Sequence, residues 1–165
     1  MFDFSSMDGK MIVIWIGACA VAYMLGNLSP ATIISKASGV DIRKEGSGNP
    51  GTTNVLRVMG KKAALFTLLI DVLKGVAAVL IGRLLGGETL AVFCGFAAFL
   101  GHIFPAFYKF KGGKGIATAF GVLLTIHTVM ALICLAIAAL GFAISRRVSV
   151  GSLMTALSLP PVAWF

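Results

Sequence analysis

Apolar stretches recur along the whole of this 165-residue chain, and its charges are gathered almost entirely in the short segments between them. Hydrophobic residues make up 58% and charged residues 12%, against about 25% charged in a soluble domain. With a mean hydropathy of +0.98, the chain cannot cover its own surface in water. In lipid every backbone N–H and C=O must be satisfied internally, so repeated apolar runs read as helices. The expected architecture is all-α: a polytopic integral membrane protein, 1–165 forming a single domain. It should have about six transmembrane or partly spanning helices and its N-terminus outside. A signal peptide does not account for the first run, because no small-residue cleavage site follows it and further runs do.

The net charge is +8, but its placement argues against nucleic acid. All Lys and Arg except Lys10, Lys74 and Arg83 fall within Lys36–Lys62, Lys109–Lys114 and Arg146–Arg147. Basic clusters between apolar spans mark cytoplasmic loops. The three cysteines, Cys19, Cys94 and Cys134, lie far apart inside apolar runs and read as small buried hydrophobes. Along the chain, Met11 to about Ser38 is a kinked span broken near Gly26, Asn27 and Pro30, running inward. A polar loop from Gly39 to Thr53 leads to an outward span, Asn54 to Gly82. A turn over Leu84–Thr89 precedes the third span, Leu90 to Phe107.

The interval from Lys114 to Arg146 is shorter than the about 40 residues that two full spans need, yet both ends should face the cytoplasm. Two short helices, Ile116–Ile126 and Val129–Ser145, turning at "TIHT" around His127, meet both demands. One long helix is the alternative. The last apolar run begins near Ser152.

Three helices then start on the cytoplasmic face, after "GNPGTTN", "KGGKG" and "VSVGS". Helix starts carry free N–H groups and a positive dipole end, and glycine lets a ligand approach them. In "KFKGGKG", Gly112 and Gly113 would let the loop wrap an oxyanion, with Lys114 as point charge. This is no Walker A loop, because Gly115 stands where Ser or Thr would be. A plain cytoplasmic turn is the competing reading. In "EGSGNPGTTNVLR", Ser47, Asn49, Asn54 and Arg57 gather around three glycines. Thr53 and Asn54 read alternatively as helix caps, and Arg57 as a snorkelling or phosphate-binding side chain. Asp71 and Lys74, three apart inside a span, read first as a structural ion pair and second as catalytic. His102 reads as a buried, hydrogen-bonded histidine before it reads as a ligand.

Together "GSGNPGTTNVLR" (Gly46 to Arg57), "GHIFPAFYKFKGGKGIAT" (Gly101 to Thr118) and "RRVSVGS" resemble the bacterial acyl-phosphate–glycerol-3-phosphate acyltransferases, the PlsY family, from about Val21 onward. The resemblance implies a multi-pass enzyme of the bacterial inner membrane with its active site on the cytoplasmic face. It would transfer a fatty acyl group from acyl phosphate to the 1-hydroxyl of glycerol 3-phosphate, giving lysophosphatidic acid and phosphate, the first step of phospholipid biosynthesis. It implies no cofactor, no metal, and a functional link to an enzyme that makes acyl phosphate. The His-x4-Asp pair of soluble-type glycerolipid acyltransferases is absent: neither His102 nor His127 has Asp at that spacing.

The resemblance and the residues together nominate Ser47, Arg57 and Lys114 for catalysis. Asn49, Asn54, Gly112, Gly113, Gly115, Ser149 and Ser152 are nominated for substrate binding. Only Asp41 and Glu45 lie near as carboxylates, so a substrate phosphate acting as base is the expectation. The family's C-terminal span and its His- and Asn-containing motif have no counterpart here, so a truncated, inactive fragment is one alternative. The other is a transporter or binder of a small phosphorylated anion.

Overall fold

The computed structural model describes residues 8–164, with side chains described to residue 159. The described residues form helices and loops: α1 (Gly9–Asn27), α2 (Pro30–Ala37), α3 (Thr52–Met59), α4 (Lys61–Ile103), a 3-10 turn (Ala106–Tyr108), α5 (Ile116–Ile126), α6 (Thr128–Ser145) and α7 (Val148–Trp164). Gly9–Ala37, Lys61–Tyr108 and Thr128–Ser145 are long and apolar enough to cross a membrane. Val13, Ile16, Phe66, Leu73, Phe96 and Leu140 lie exposed on helix surfaces. Such outward-facing apolar side chains suit hydrocarbon rather than water as the surrounding solvent. The protein is an all-α, multi-pass integral membrane protein. Its chain divides into two compact units, 1–122 and 123–165.

In the first unit the break expected in the first span falls at Leu28–Ser29, not at a mid-helix proline. Pro30 opens α2, where its missing N–H is harmless, and the Ser29 side chain caps Thr32. The second span is corrected in its start. Gly60, at φ 85 and ψ −177, separates the short α3 from α4, so Arg57 sits outside the long helix. The α4 segment reverses at Gly86 and Gly87, the latter at φ 73, within the turn expected over Leu84–Thr89. Arg83 and Glu88 pair across this turn, Nε to Oε1 at 2.6 Å.

The two arms of α4 fold back on each other and pack against α1 through Ala18, Ala22, Ala78, Leu90, Cys94 and Ala98, with Trp15 and Cys19 alongside. Small residues dominate because lipid offers no hydrophobic drive, and close backbone approach maximises van der Waals contact. A side chain at Gly26 would strike the Ala98 carbonyl, and one at Gly101 the Tyr23 carbonyl. Helix α5 approaches α4 in the same way: a Cβ at Gly75 would meet the Thr118 carbonyl, and one at Gly121 the Val72 carbonyl.

In the second unit the single-long-helix alternative is excluded. The His127 imidazole breaks the run and accepts the Met130 N–H, capping α6. Helices α6 and α7 form a hairpin turning at Arg146, which is left-handed at φ 56. Gly141 and Gly151 meet there, and the Thr155 hydroxyl reaches the Cys134 carbonyl at 3.2 Å. The last helix begins at Val148, earlier than the expected Ser152.

Candidate active site

The first motif loop is built around one asparagine. Asn54, 2% exposed, donates through Nδ2 to the carbonyls of Ile42 (3.2 Å) and Glu45 (2.9 Å). Its Oδ1 accepts the Ser47 N–H at 2.9 Å. Beneath it Ile42 and Val55 are fully buried with Ala31 and Ala64, which fixes the loop to α2, α3 and α4. Helix α3 is capped by Gly51 with no side-chain bond, so Thr53 and Asn54 are not its caps. The loop needs left-handed glycines at Gly46 (φ 58) and Gly48 (φ 68). Ser47 is thereby held on the surface of the loop, exposed, with Asn49 half-buried two residues on. Arg57 is exposed in the last turn of α3, and neither its guanidinium nor the Lys114 ammonium has an ion-pair partner among the described residues.

The second motif loop lies flat against the end of α4. Gly112 N–H donates to the Ile103 carbonyl (3.0 Å) and Gly113 N–H to the His102 carbonyl (3.2 Å). A Cβ on Gly112 would fall on the His102 carbonyl, and one on Gly113 on the His102 ring nitrogen Nε2. Glycine is required here by contact. The N–H groups of Gly112 and Gly113 are thus engaged within the fold, so an oxyanion held by this loop would draw its donors from elsewhere. The donors that stay open are those of the first turn of α5, beginning at Ile116, directly after Lys114 and Gly115. Lys114 is exposed at this helix start, where its charge and the α5 dipole act on the same region.

Arg43, in sequence one of several loop charges between Lys36 and Lys62, joins the two loops. Arg43 donates from Nη1 to the Lys111 carbonyl at 2.5 Å, and its guanidinium stacks over the Tyr108 ring at 5.1 Å. The end of α1 holds the second loop from the other side. Tyr23 donates to the Phe104 carbonyl at 2.7 Å, and the Asn27 side chain accepts the Phe107 N–H at 3.4 Å. A small cleft opens between these parts, lined by Asn27, Ser29, Arg43, His102, Gly112 and Gly113 among others. The signal for Arg43 was its place in "DIRKEG", one short turn before the glycine motif; nothing local marked it as the bridge.

Below the cleft the Asp71–Lys74 ion pair forms as expected, at 2.8 Å with both side chains buried. Lys74 also donates to the carbonyls of Gly26 (3.1 Å) and Leu28 (2.8 Å), where α1 unwinds. Ser149 and Ser152 belong to the second unit, where the Ser152 hydroxyl donates to the Val148 carbonyl at 2.8 Å.

Comparison with known proteins agrees with these features. The glycerol-3-phosphate acyltransferase family model matches residues 16–165. A glycerol-3-phosphate acyltransferase of Pseudomonas aeruginosa (strain UCBPP-PA14) is 47% identical over 155 residues, covering 92% of this chain and 82% of that protein. One from Clostridioides difficile (strain 630) is 49% identical over 150 residues, covering 85% and 72%. Among solved structures, the glycerol 3-phosphate form of PlsY (YgiH), an integral membrane glycerol 3-phosphate acyltransferase, superposes with a TM-score of 0.82. That match is 38% identical and covers 91% of this chain and 74% of the other. The lysophosphatidic acid form of PlsY matches at a TM-score of 0.79. With the motif loops, the broken first helix and the membrane fold all pointing the same way, this chain belongs to the glycerol-3-phosphate acyltransferase family.

Proposed function

We propose that the chain transfers a fatty acyl group from acyl phosphate to the 1-hydroxyl of glycerol 3-phosphate, at the cytoplasmic face of a bacterial inner membrane. The observation that carries this reading is the joining of the two motif loops: Arg43 of the first loop grips the backbone of the second at Lys111. Relatives solved in glycerol 3-phosphate and lysophosphatidic acid forms support the acceptor and the product.

In the reaction the glycerol oxygen attacks the acyl carbonyl carbon, the bond from that carbon to the phosphate oxygen breaks, and inorganic phosphate leaves. The hydroxyl proton passes to a phosphate oxygen. Acyl phosphate is already activated, so the protein's task is alignment and stabilisation of charge. Lys114 and Arg57 supply positive charge to substrate phosphates and to the leaving group. Ser47 and Asn49 hydrogen-bond the acceptor, and Asn54 acts through the loop that presents Ser47. Gly112, Gly113 and Gly115 set the path of the lysine loop. Ser149 and Ser152 are proposed as further ligands on the resemblance alone.

The test is lysophosphatidic acid formation by the purified protein in detergent or lipid, given glycerol 3-phosphate with either acyl phosphate or acyl-CoA. Product from acyl phosphate alone is expected. Product from acyl-CoA alone would overturn the donor assignment, and a folded protein inert with both donors would overturn the reaction.

A further inference from the structure

The two motif loops are seated on different parts of the fold. Ile42 and Val55 fix the first over Ala31 and Ala64, and Asn54 wires it internally. The second rests on the end of α4, where the Ile103 and His102 carbonyls accept the Gly112 and Gly113 N–H groups. Ser47 and Lys114 therefore stand on separate foundations. Among the described residues, one hydrogen bond joins residues 39–51 to residues 104–115. It runs from Arg43 Nη1 to the Lys111 carbonyl, at 2.5 Å.

The surroundings of Arg43 make that join stiff. Its backbone N–H donates to Asp41 Oδ1 at 3.2 Å. Its carbonyl lies against Gly48, the residue after Ser47, where an added Cβ would come to 3.0 Å of it. Its guanidinium lies over the Tyr108 ring, 5.1 Å from the centroid. A planar fork that stacks and donates at once is an arrangement lysine cannot copy. The neighbouring cleft has a volume of about 10 Å³, room for one water and none for a phosphate.

We propose that Arg43 is a positioning residue. It sets the spacing between Ser47 and Lys114 by tying the backbone beside one to the backbone before the other, without touching either substrate. This rests on the acyltransferase reading and deepens it. The path is short, from Gly48 through Arg43 to the Lys111 carbonyl, three residues before Lys114. Acyl transfer needs the acceptor hydroxyl aligned with the charge that receives the leaving phosphate. A misplacement of about 1 Å costs about 100-fold in rate.

Nitroxides at Glu45→Cys and Lys109→Cys, both exposed in the parent, report the distance between the loops. Cys19, Cys94 and Cys134 are alanine in this background. Pulsed electron spin resonance should give one narrow distance with Arg43 present and a broader or longer one in Arg43→Met. Arg43→Lys keeps the charge without the fork and should resemble Arg43→Met. Tyr108→Leu, which removes only the stacking, should fall between, and it carries the test if Arg43→Met does not fold. Thermal unfolding in detergent is the folding control.

Turnover gives a readout that a merely structural role would not move. Arg43→Met should lower kcat by about 10- to 100-fold. Because that loss arises from misalignment with Lys114, the same substitution in the Lys114→Ala background should lower kcat by less than about threefold. Equal factors in the two backgrounds, or a wild-type distance distribution in the folded variants, would overturn the positioning role. A folded wild type that makes no lysophosphatidic acid from either donor would overturn the functional reading instead, and the distance measurement would still decide the clamp.

Discussion

Two side chains of the motif loops separate direct from indirect action. Lys114 is exposed, has no ion-pair partner among the described residues and stands at the start of α5, so its removal should leave the fold intact. Lys114→Ala is expected to lower kcat by about 100-fold or more, the scale of losing a preorganised charge at the reacting group. Its elution profile and unfolding midpoint in detergent should be unchanged. Near-normal turnover in this variant would remove Lys114 from the mechanism. Asn54 is the opposite case. All three of its side-chain bonds go to loop backbone, and truncation leaves buried groups unpaired at about 1–3 kcal/mol. Asn54→Ala should therefore lower the unfolding midpoint as well as activity. A raised KM with an unchanged midpoint would mean that Asn54 binds substrate itself.

At the scale of elements, the sequence revealed breaks better than contacts. Gly86–Gly87, His127 and Pro30 interrupt apolar runs, and helices cannot pass them without special backbone or capping, so their positions were legible. Gly60 was not, because a single glycine after "TNVLRVM" reads equally as a tolerated residue within a longer helix. The Asp71–Lys74 pair was legible from its spacing. Its extension to Gly26, Leu28 and His102 was not, since those partners come from distant helices and no local pattern encodes that meeting. The same limit hid Arg43, whose partner Lys111 lies in another loop. Ser47, Lys114 and the glycines were legible as a group because turns alone do not require that combination.

The buried Asp71–Lys74 pair should hold the helices together. Lys74→Met leaves Asp71 buried beside His102 without its cation, and breaking one partner of a buried pair costs about 3–5 kcal/mol. The variant should lose most of its folded yield in detergent. Asp71→Leu combined with Lys74→Met should recover part of it, because no lone charge remains. If the single variant unfolds at the wild-type midpoint, the pair is not organising the helices.

For the molecule as a whole, the placement of charge makes the side of the membrane a physical prediction. The α4 turn carries Arg83 paired with Glu88, so it presents no net charge. The opposite ends of the same helix arms carry Lys61 and Lys62 before one arm, and Lys109, Lys111 and Lys114 after the other. A 25-residue arm from 61 to 85 is about 37 Å long at 1.5 Å per residue, enough to cross a hydrocarbon core of about 30 Å. The positive-inside rule therefore predicts the lysine ends in the cytoplasm and the turn outside.

Single cysteines test this in a background where Cys19, Cys94 and Cys134 are alanine. Lys44→Cys, whose parent side chain is 81% exposed, marks the first motif loop, and Leu84→Cys, 85% exposed at the parent, marks the turn. In intact spheroplasts a membrane-impermeant maleimide should label Leu84→Cys alone, and in inside-out vesicles Lys44→Cys alone. Labelling of both from one side would mean that the α4 hairpin does not cross the bilayer. Reversed labelling would put the motif loops outside, away from a cytoplasmic supply of glycerol 3-phosphate.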